Sequence, residues 1–148
     1  MKKYYKICRR TSYNDLLSYN VSREAQPNKQ ENIEYSLHKW IKPYMPNSKL
    51  FVFNSLDAAK NCLARNNNFR NYEVYECEVK RPTKAAKYRG DSWWSDNLQE
   101  YWNIIKKAKK NKKSINKALE KSKEHFPPMP PGTVWCDELK LTKLVYSN

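Results

Sequence analysis

Lys49-Leu50-Phe51-Val52-Phe53-Asn54-Ser55-Leu56-Asp57-Ala58-Ala59-Lys60-Asn61-Cys62-Leu63 changes periodicity part-way along. Its first part, Leu50 to Phe53, is a continuous apolar run, the pattern of a strand covered on both faces, and so belongs near the centre of a sheet. Asn54 or Ser55 then offers a side-chain oxygen to the exposed amides of a helix start, and Asp57 places an acid in the first turn. Leu56, Ala59 and Leu63 fall on one face of that helix. A buried strand feeding an amphipathic helix sets the class as α plus β.

Upstream, Tyr4-Tyr5-Lys6-Ile7-Cys8 mixes aromatic and β-branched residues with charge, as a half-buried strand does. Residues 15–21 form a second candidate strand, positioned to pair with the first as a hairpin, and the polar stretch after Arg23, with Pro27, reads as a loop. From Ile33 the alternation of Ile33, Tyr35 and Leu37 with Glu34, Ser36 and His38 predicts another strand, closed by Pro43 and Pro46.

Downstream, residues 72–80 alternate Tyr75, Cys77 and Val79 against Glu76, Glu78 and Lys80, a strand that Pro82 ends. Residues 96–123 lack proline and glycine and repeat Leu98, Trp102, Ile105, Ile115 and Leu119 near helical spacing, which predicts one long helix or two shorter ones. Little apolar surface lies between Ala108 and Ile115, so a break or a solvent-projecting stretch is expected there. Pro127-Pro128-Met129-Pro130-Pro131-Gly132 is a stiff extended connection, and residues 133–146 form a last strand. The expected fold is a single α+β domain of 148 residues. It has a mostly antiparallel sheet of about five or six strands, one short helix, and a long basic helical insertion over residues 95–125.

Composition narrows the function. Twenty-nine Lys and Arg against fifteen Asp and Glu leave a net charge of +14, which directs attention to polyanionic, phosphate-bearing ligands. Two glycines exclude a glycine-rich phosphate loop and a dinucleotide fingerprint, both of which need several. No apolar run reaches the roughly twenty residues that span a bilayer, and the start MKKYYKICRR has no signal-like apolar core, so a soluble protein of the host-cell cytoplasm is expected. Cys8, Cys62, Cys77 and Cys136 contain no C-x-x-C pair. Reduced, buried thiols suit them, and neither a metal nor a cofactor is expected.

Two basic constellations stand out. Lys106, Lys107, Lys109, Lys110, Lys112, Lys113, Lys117, Lys121 and Lys123 face only Glu120 over residues 106–123, which puts +8 of the +14 in one segment. This is either a solvated helix or a surface for a long polyanion held by charge without base reading. Arg81, Lys84, Lys87 and Arg89 lead to Trp93 and Trp94, a grouping that could clamp phosphates while a tryptophan stacks on a base, or in which the tryptophans simply pack the helix on the sheet. Catalytic signals are weaker. His38 with a cysteine would make a nucleophile and base only if folding joined them, and Glu73, Glu76 and Glu78 fit the exposed face of a strand.

Tyr5-Lys6-Ile7, Ile33-Glu34-Tyr35 leading to Trp40-Ile41-Lys42-Pro43, and Leu50-Phe51-Val52-Phe53 before Leu56-Asp57-Ala58-Ala59 resemble a pattern in small phage and viral accessory proteins. Tyr75-Glu76-Cys77-Glu78-Val79, Pro131-Gly132-Thr133-Val134 and Lys140-Leu141-Thr142-Lys143 extend the resemblance over most of the chain outside the lysine-rich segment. The nearest functional likeness is to the anti-Thoeris phage sponges, which implies capture of a cyclic ADP-ribose type or cyclic oligonucleotide signal without cleavage. On this reading Arg81, Lys84, Lys87 and Arg89 hold phosphates beside Trp93 or Trp94. The rival is an anti-CRISPR-like inhibitor that grips guide RNA, other nucleic acid or an effector nuclease through the basic helix. A degenerate ADP-ribosyltransferase-like enzyme is a third class suggested by layout alone. Small size and exposed aromatics also allow a homo-oligomer.

Overall fold

The computed structural model describes residues 2–11, 13–18, 33–44, 47–65, 71–90, 98–123 and 126–148. Among these, the chain runs β1 (Tyr4–Arg10), β2 (Leu16–Ser18), β3 (Trp40–Ile41), β4 (Leu50–Phe53), α1 (Leu56–Ala64), β5 (Tyr72–Lys80) and β6 (Thr83–Lys84). It continues through α2 (Leu98–Lys110), α3 (Ile115–Glu120), β7 (Thr133–Cys136) and β8 (Glu138–Ser147). The strands form one antiparallel sheet in the order β3-β8-β5-β1-β4-β7-β6, with β2 on β1 beside β4. No helix among the described residues is long and apolar enough to cross a membrane.

Among the described residues the sheet has eight strands rather than five or six, and three helices accompany it. Two reasons account for the difference. The edge strands β3 and β6 are two residues each, too short for any periodicity to register. The expected last strand is also divided at Asp137 into β7 and β8, which lie near opposite ends of the sheet. Only one residue joins them, so the sheet curls back on itself into an open barrel with β3 and β6 at its unpaired edges. Inward side chains from β8 (Leu139, Leu141), β5 (Tyr75, Cys77), β1 (Tyr4, Cys8), β4 (Leu50, Val52) and β7 (Cys136) then meet in one buried cluster.

Asp137 clasps this closure. Its backbone amide donates to the carbonyl of Lys80 at 2.9 Å, and its carboxylate accepts from Lys49, just before β4, and from Arg81, just after β5. Those two hydrogen bonds, Lys49 first, hold the Asp137 carboxyl below its ordinary value. A folded-state pKa below the unfolded one adds stability that is complete above about pH 4, the ordinary carboxylate range, and is lost as pH falls through the lowered value. Thermal melts from about pH 6 to about pH 2 should therefore show an acid loss that is smaller in Asp137→Asn than in the parent. Equal acid losses would remove Asp137 from the account.

The expected strand at residues 33–38 is not formed. Only isolated bridges, Leu17 with Glu34 and Leu37 with Leu141, remain of it, and the short strand lies just beyond, at Trp40–Ile41. His38 has φ 63°, a left-handed turn that interrupts extended backbone. Tyr35 instead turns inward, 3% exposed, and joins the barrel cluster with Ile33 and Leu16. Lys6 also faces inward, on the same alternation as Tyr4 and Cys8. It donates to the carbonyl of Phe51 at 2.8 Å where β1 and β4 pair only at Tyr5 and Phe53, so a side chain bridges the gap that the ladder leaves.

The expected β1–β2 hairpin is present, turned at Asn14 (φ 69°), with residues 19–21 outside the described set. Ser55, rather than Asn54, caps α1 by accepting from the amide of Ala58 at 3.0 Å. Ala59, Cys62 and Leu63 of α1 pack on Ile7, Phe53, Tyr72 and Val74, the outer face of the sheet. Two irregularities between β5 and β8 admit Thr142 and Val145 as extra residues, and the Thr142 hydroxyl donates to the freed carbonyl of Glu76 at 3.1 Å. All four cysteines are free and buried, as expected. Burial pushes the Cys8 and Cys136 thiols up to about 12 and raises Cys77 as well.

The helical segment packs as a hairpin on β7. Tyr101, Trp102 and Ile105 of α2, with Leu119 of α3, enclose Trp135, Phe126 and Ala86. Gly90 lies against this cluster so closely that an added Cβ meets Tyr101 Cγ at 2.5 Å. Tyr101 cannot retreat, because it is wholly buried and its hydroxyl donates to the carbonyl of Tyr88 at 2.6 Å. Gly90→Ala should accordingly cost about 1–3 kcal/mol of stability, read from chemical denaturation. An unchanged midpoint would show that the α2 packing is looser than described.

Candidate polyanion interface

The break between the two helices falls where apolar anchoring runs out. Lys112 adopts φ 54°, its amide donates to the carbonyl of Lys109 at 3.1 Å, and the amide of Lys113 donates to that of Ala108 at 2.8 Å. This pair of bonds is a Schellman stop, with a lysine in the place that glycine usually takes. Ser114 then starts α3 by accepting from the amide of Lys117 at 3.3 Å. The result is two helices joined by the turn at residues 111–114, with residues 95–97 and 124–125 of the expected insertion outside the described set.

Every one of the nine lysines at residues 106–123 is exposed. None forms an ion pair among the described residues. Glu120, the one acid in the segment, is turned back toward the barrel, where it accepts from the Tyr88 hydroxyl at 2.9 Å. The carboxylates of β5 and of the β7–β8 corner are paired. Glu73 pairs with Arg10 at 2.8 Å, Glu76 with Lys3 at 3.4 Å, Glu78 with Lys140 at 2.9 Å and Glu138 with Lys80 at 3.6 Å, while Asp137 holds Lys49 and Arg81. Charge is therefore neutralised over β5 and the β7–β8 corner and left uncompensated on the helical hairpin.

The second constellation is spread out. Arg81 is engaged with Asp137 and reaches Glu138 at 4.0 Å, so its guanidinium serves the barrel corner. Lys84 is exposed on the edge strand β6. Lys87 is exposed and docks against α3 through its backbone amide, which donates to Asn116 at 2.9 Å. Arg89 is half-buried and, with Lys6, Phe51 and Met129, lines a crevice of about 50 Å³ that Arg81, Lys84 and Lys87 do not reach. The prolines at residues 127–131 hold this stretch down, since Arg89 donates to the carbonyl of Pro127 and Met129 to that of Lys87. Trp93 and Trp94 lie outside the described residues.

A cleft of about 550 Å³ opens between α2 and α3, and the sequence reading did not anticipate it. One wall is Ile104, Lys107 and Ala108 of helix α2 with Asn111 of the turn, and the other is Ser114, Lys117, Ala118 and Lys121. Both sets have the i, i+3, i+4, i+7 spacing of a helical stripe. Each carries a Lys-Ala pair, Lys107-Ala108 and Lys117-Ala118, and this repetition was the available sequence signal.

Among the described residues, elements of nucleophilic catalysis do not come together. His38 is exposed while the four cysteines are buried, and the raised thiols of Cys8, Cys77 and Cys136 hold little of the thiolate that would attack a substrate. No group of three metal-ligating side chains occurs among the described residues. No family model, no curated protein and no solved structure matches the chain.

Proposed function

We propose that this protein is a non-enzymatic binder of phosphate-rich polyanions, nucleic acid foremost, through the lysines of α2, α3 and the turn between them. The observation that carries the reading is the contrast in charge pairing: the carboxylates of β5 and the β7–β8 corner face cations, whereas nine hairpin lysines face solvent with no ion-pair partner among the described residues. Lysine ammonium groups act as point charges that neutralise phosphates and release counterions, so attachment of this kind is strong at low salt and largely blind to sequence. The resemblance to phage accessory proteins gives it a setting in the host cytoplasm, as a counter-defence inhibitor acting on guide RNA or on a nuclease that carries nucleic acid. The signal-sponge reading keeps narrower support, a single arginine, Arg89, in a small crevice.

Fluorescence anisotropy of a labelled single-stranded RNA across a salt series tests the proposal. The logarithm of the affinity should fall linearly with the logarithm of salt, with a slope of about −0.7 for each phosphate contacted. A flat salt response, or no binding at low salt, overturns it. A salt-resistant thermal shift with a cyclic ADP-ribose isomer or cyclic dinucleotide alone would favour the sponge instead.

A further inference from the structure

The lysine-rimmed cleft between α2 and α3 says more than a charged surface alone would. Its floor is apolar, formed by Ile104, Ala108 and Ala118, its rim carries Lys107, Lys113, Lys117 and Lys121, and no carboxylate lines it among the described residues. At about 550 Å³ it falls within the size range of sites that enclose small ligands, roughly 300–1,000 Å³. A bare phosphate chain gains nothing from an apolar floor. A duplex keeps its bases stacked and paired inside, so it would lie across the rim and leave the floor wet. An unstacked nucleobase meets all three features: its faces are apolar, its edge takes hydrogen bonds from neutral groups such as the Asn111 amide and the Ser114 hydroxyl, and its flanking phosphates reach the rim.

We infer that this cleft receives an unstacked base of a single-stranded nucleic acid, with the neighbouring phosphates held by the lysine rim. The inference rests on the polyanion reading and narrows it from any polyanion to single strands. The small side chains Ala108 and Ala118 keep the space open, because a larger residue at either position would project into it. Ala118 is half-buried and lies on the shorter helix, so it is the residue to enlarge, whereas Ala108 is buried.

The test measures the full chain against three probes at matched phosphate number: single-stranded RNA, duplex RNA and inorganic polyphosphate. The parent should bind the single strand about tenfold more tightly than polyphosphate, and Ala118→Phe should remove that margin while leaving polyphosphate affinity unchanged. Ile104→Trp, at a second half-buried lining position, should do the same, and thermal melts identify whichever variant is folded. If folded variants leave the single-strand margin intact, or lower both affinities equally, the base cleft is overturned while the polyanion reading stands. If the parent binds none of the three probes at low salt, the polyanion reading itself falls. Displacement of the single strand by an acidic helical peptide, but not by polyphosphate of equal charge, would make the cleft a peptide groove and overturn the inference.

Discussion

Trp135→Ala should lower the stability of the native state by about 3–5 kcal/mol, the usual cost of removing a buried aromatic side chain from a packed core. Trp135 is 2% exposed on β7, which pairs with β4 on one side and β6 on the other. Its ring meets Trp102 at 5.2 Å and Tyr101 at 6.4 Å with an interplanar angle of 89°, an edge-to-face contact. Tyr101 in turn stands edge-on to Phe126 at 5.4 Å. One side chain thus joins the barrel wall to the helical hairpin. A domain of this size has only about 5–15 kcal/mol in total, so the variant should melt on the order of 10 °C lower, with α2 the first element to lose amide protection. Trp135→Phe is the informative control. The indole N–H of Trp135 is buried with no hydrogen-bond partner among the described residues, and such a group carries a desolvation cost that phenylalanine removes. Phenylalanine should therefore cost clearly less than alanine. Equal losses from the two variants would mean that the aromatic contacts contribute little.

Replacing Lys107, Lys113, Lys117 and Lys121 together by glutamine should flatten the salt dependence of RNA binding by about three units of log–log slope, at about 0.7 per lost phosphate contact. Affinity at low salt should fall by two or three orders of magnitude in consequence. Stability should hardly move, because all four are exposed and surface substitutions of that kind usually stay within about 0.5 kcal/mol each. This separation matters: a loss of binding with an unchanged melting curve assigns the effect to the surface and not to unfolding. Lys42 and Lys143, exposed on the barrel, supply the control at equal chemistry. If their removal flattens the slope as much per lysine, net charge and not the hairpin governs attachment.

Much of this architecture was legible because it rests on local rules. The run Leu50 to Phe53, the cap at Ser55 and the apolar face of α1 are readable from adjacent residues, and so is the break after Ala108, where anchoring residues stop. The alternation of residues 33–38 misled because period two describes side-chain polarity only. Tyr35 turns into the barrel and His38 takes a left-handed φ, and both follow from distant partners, Leu16 and Leu141. Arg81 was visible only as part of a basic run, and its pairing with Asp137, far along the chain, emerges from the fold alone. The lysines were visible as composition, but the cleft they rim appears only once α2 and α3 lie side by side.

By itself, the sequence determined the α-plus-β class, the antiparallel hairpin at the start, helix α1, a candidate break in the basic segment and the surplus of positive charge. Each of these follows from periodicity, capping or residue counts within a few turns of chain. Only the tertiary structure decided that the last strand divides at Asp137 so that the sheet curls back on itself, and that two-residue strands finish its edges. It alone also decided that carboxylates are paired on the barrel and lysines left unpaired on the hairpin. These depend on which remote groups are brought within a few ångströms, where Coulomb attraction and packing act, and no local pattern encodes that distance.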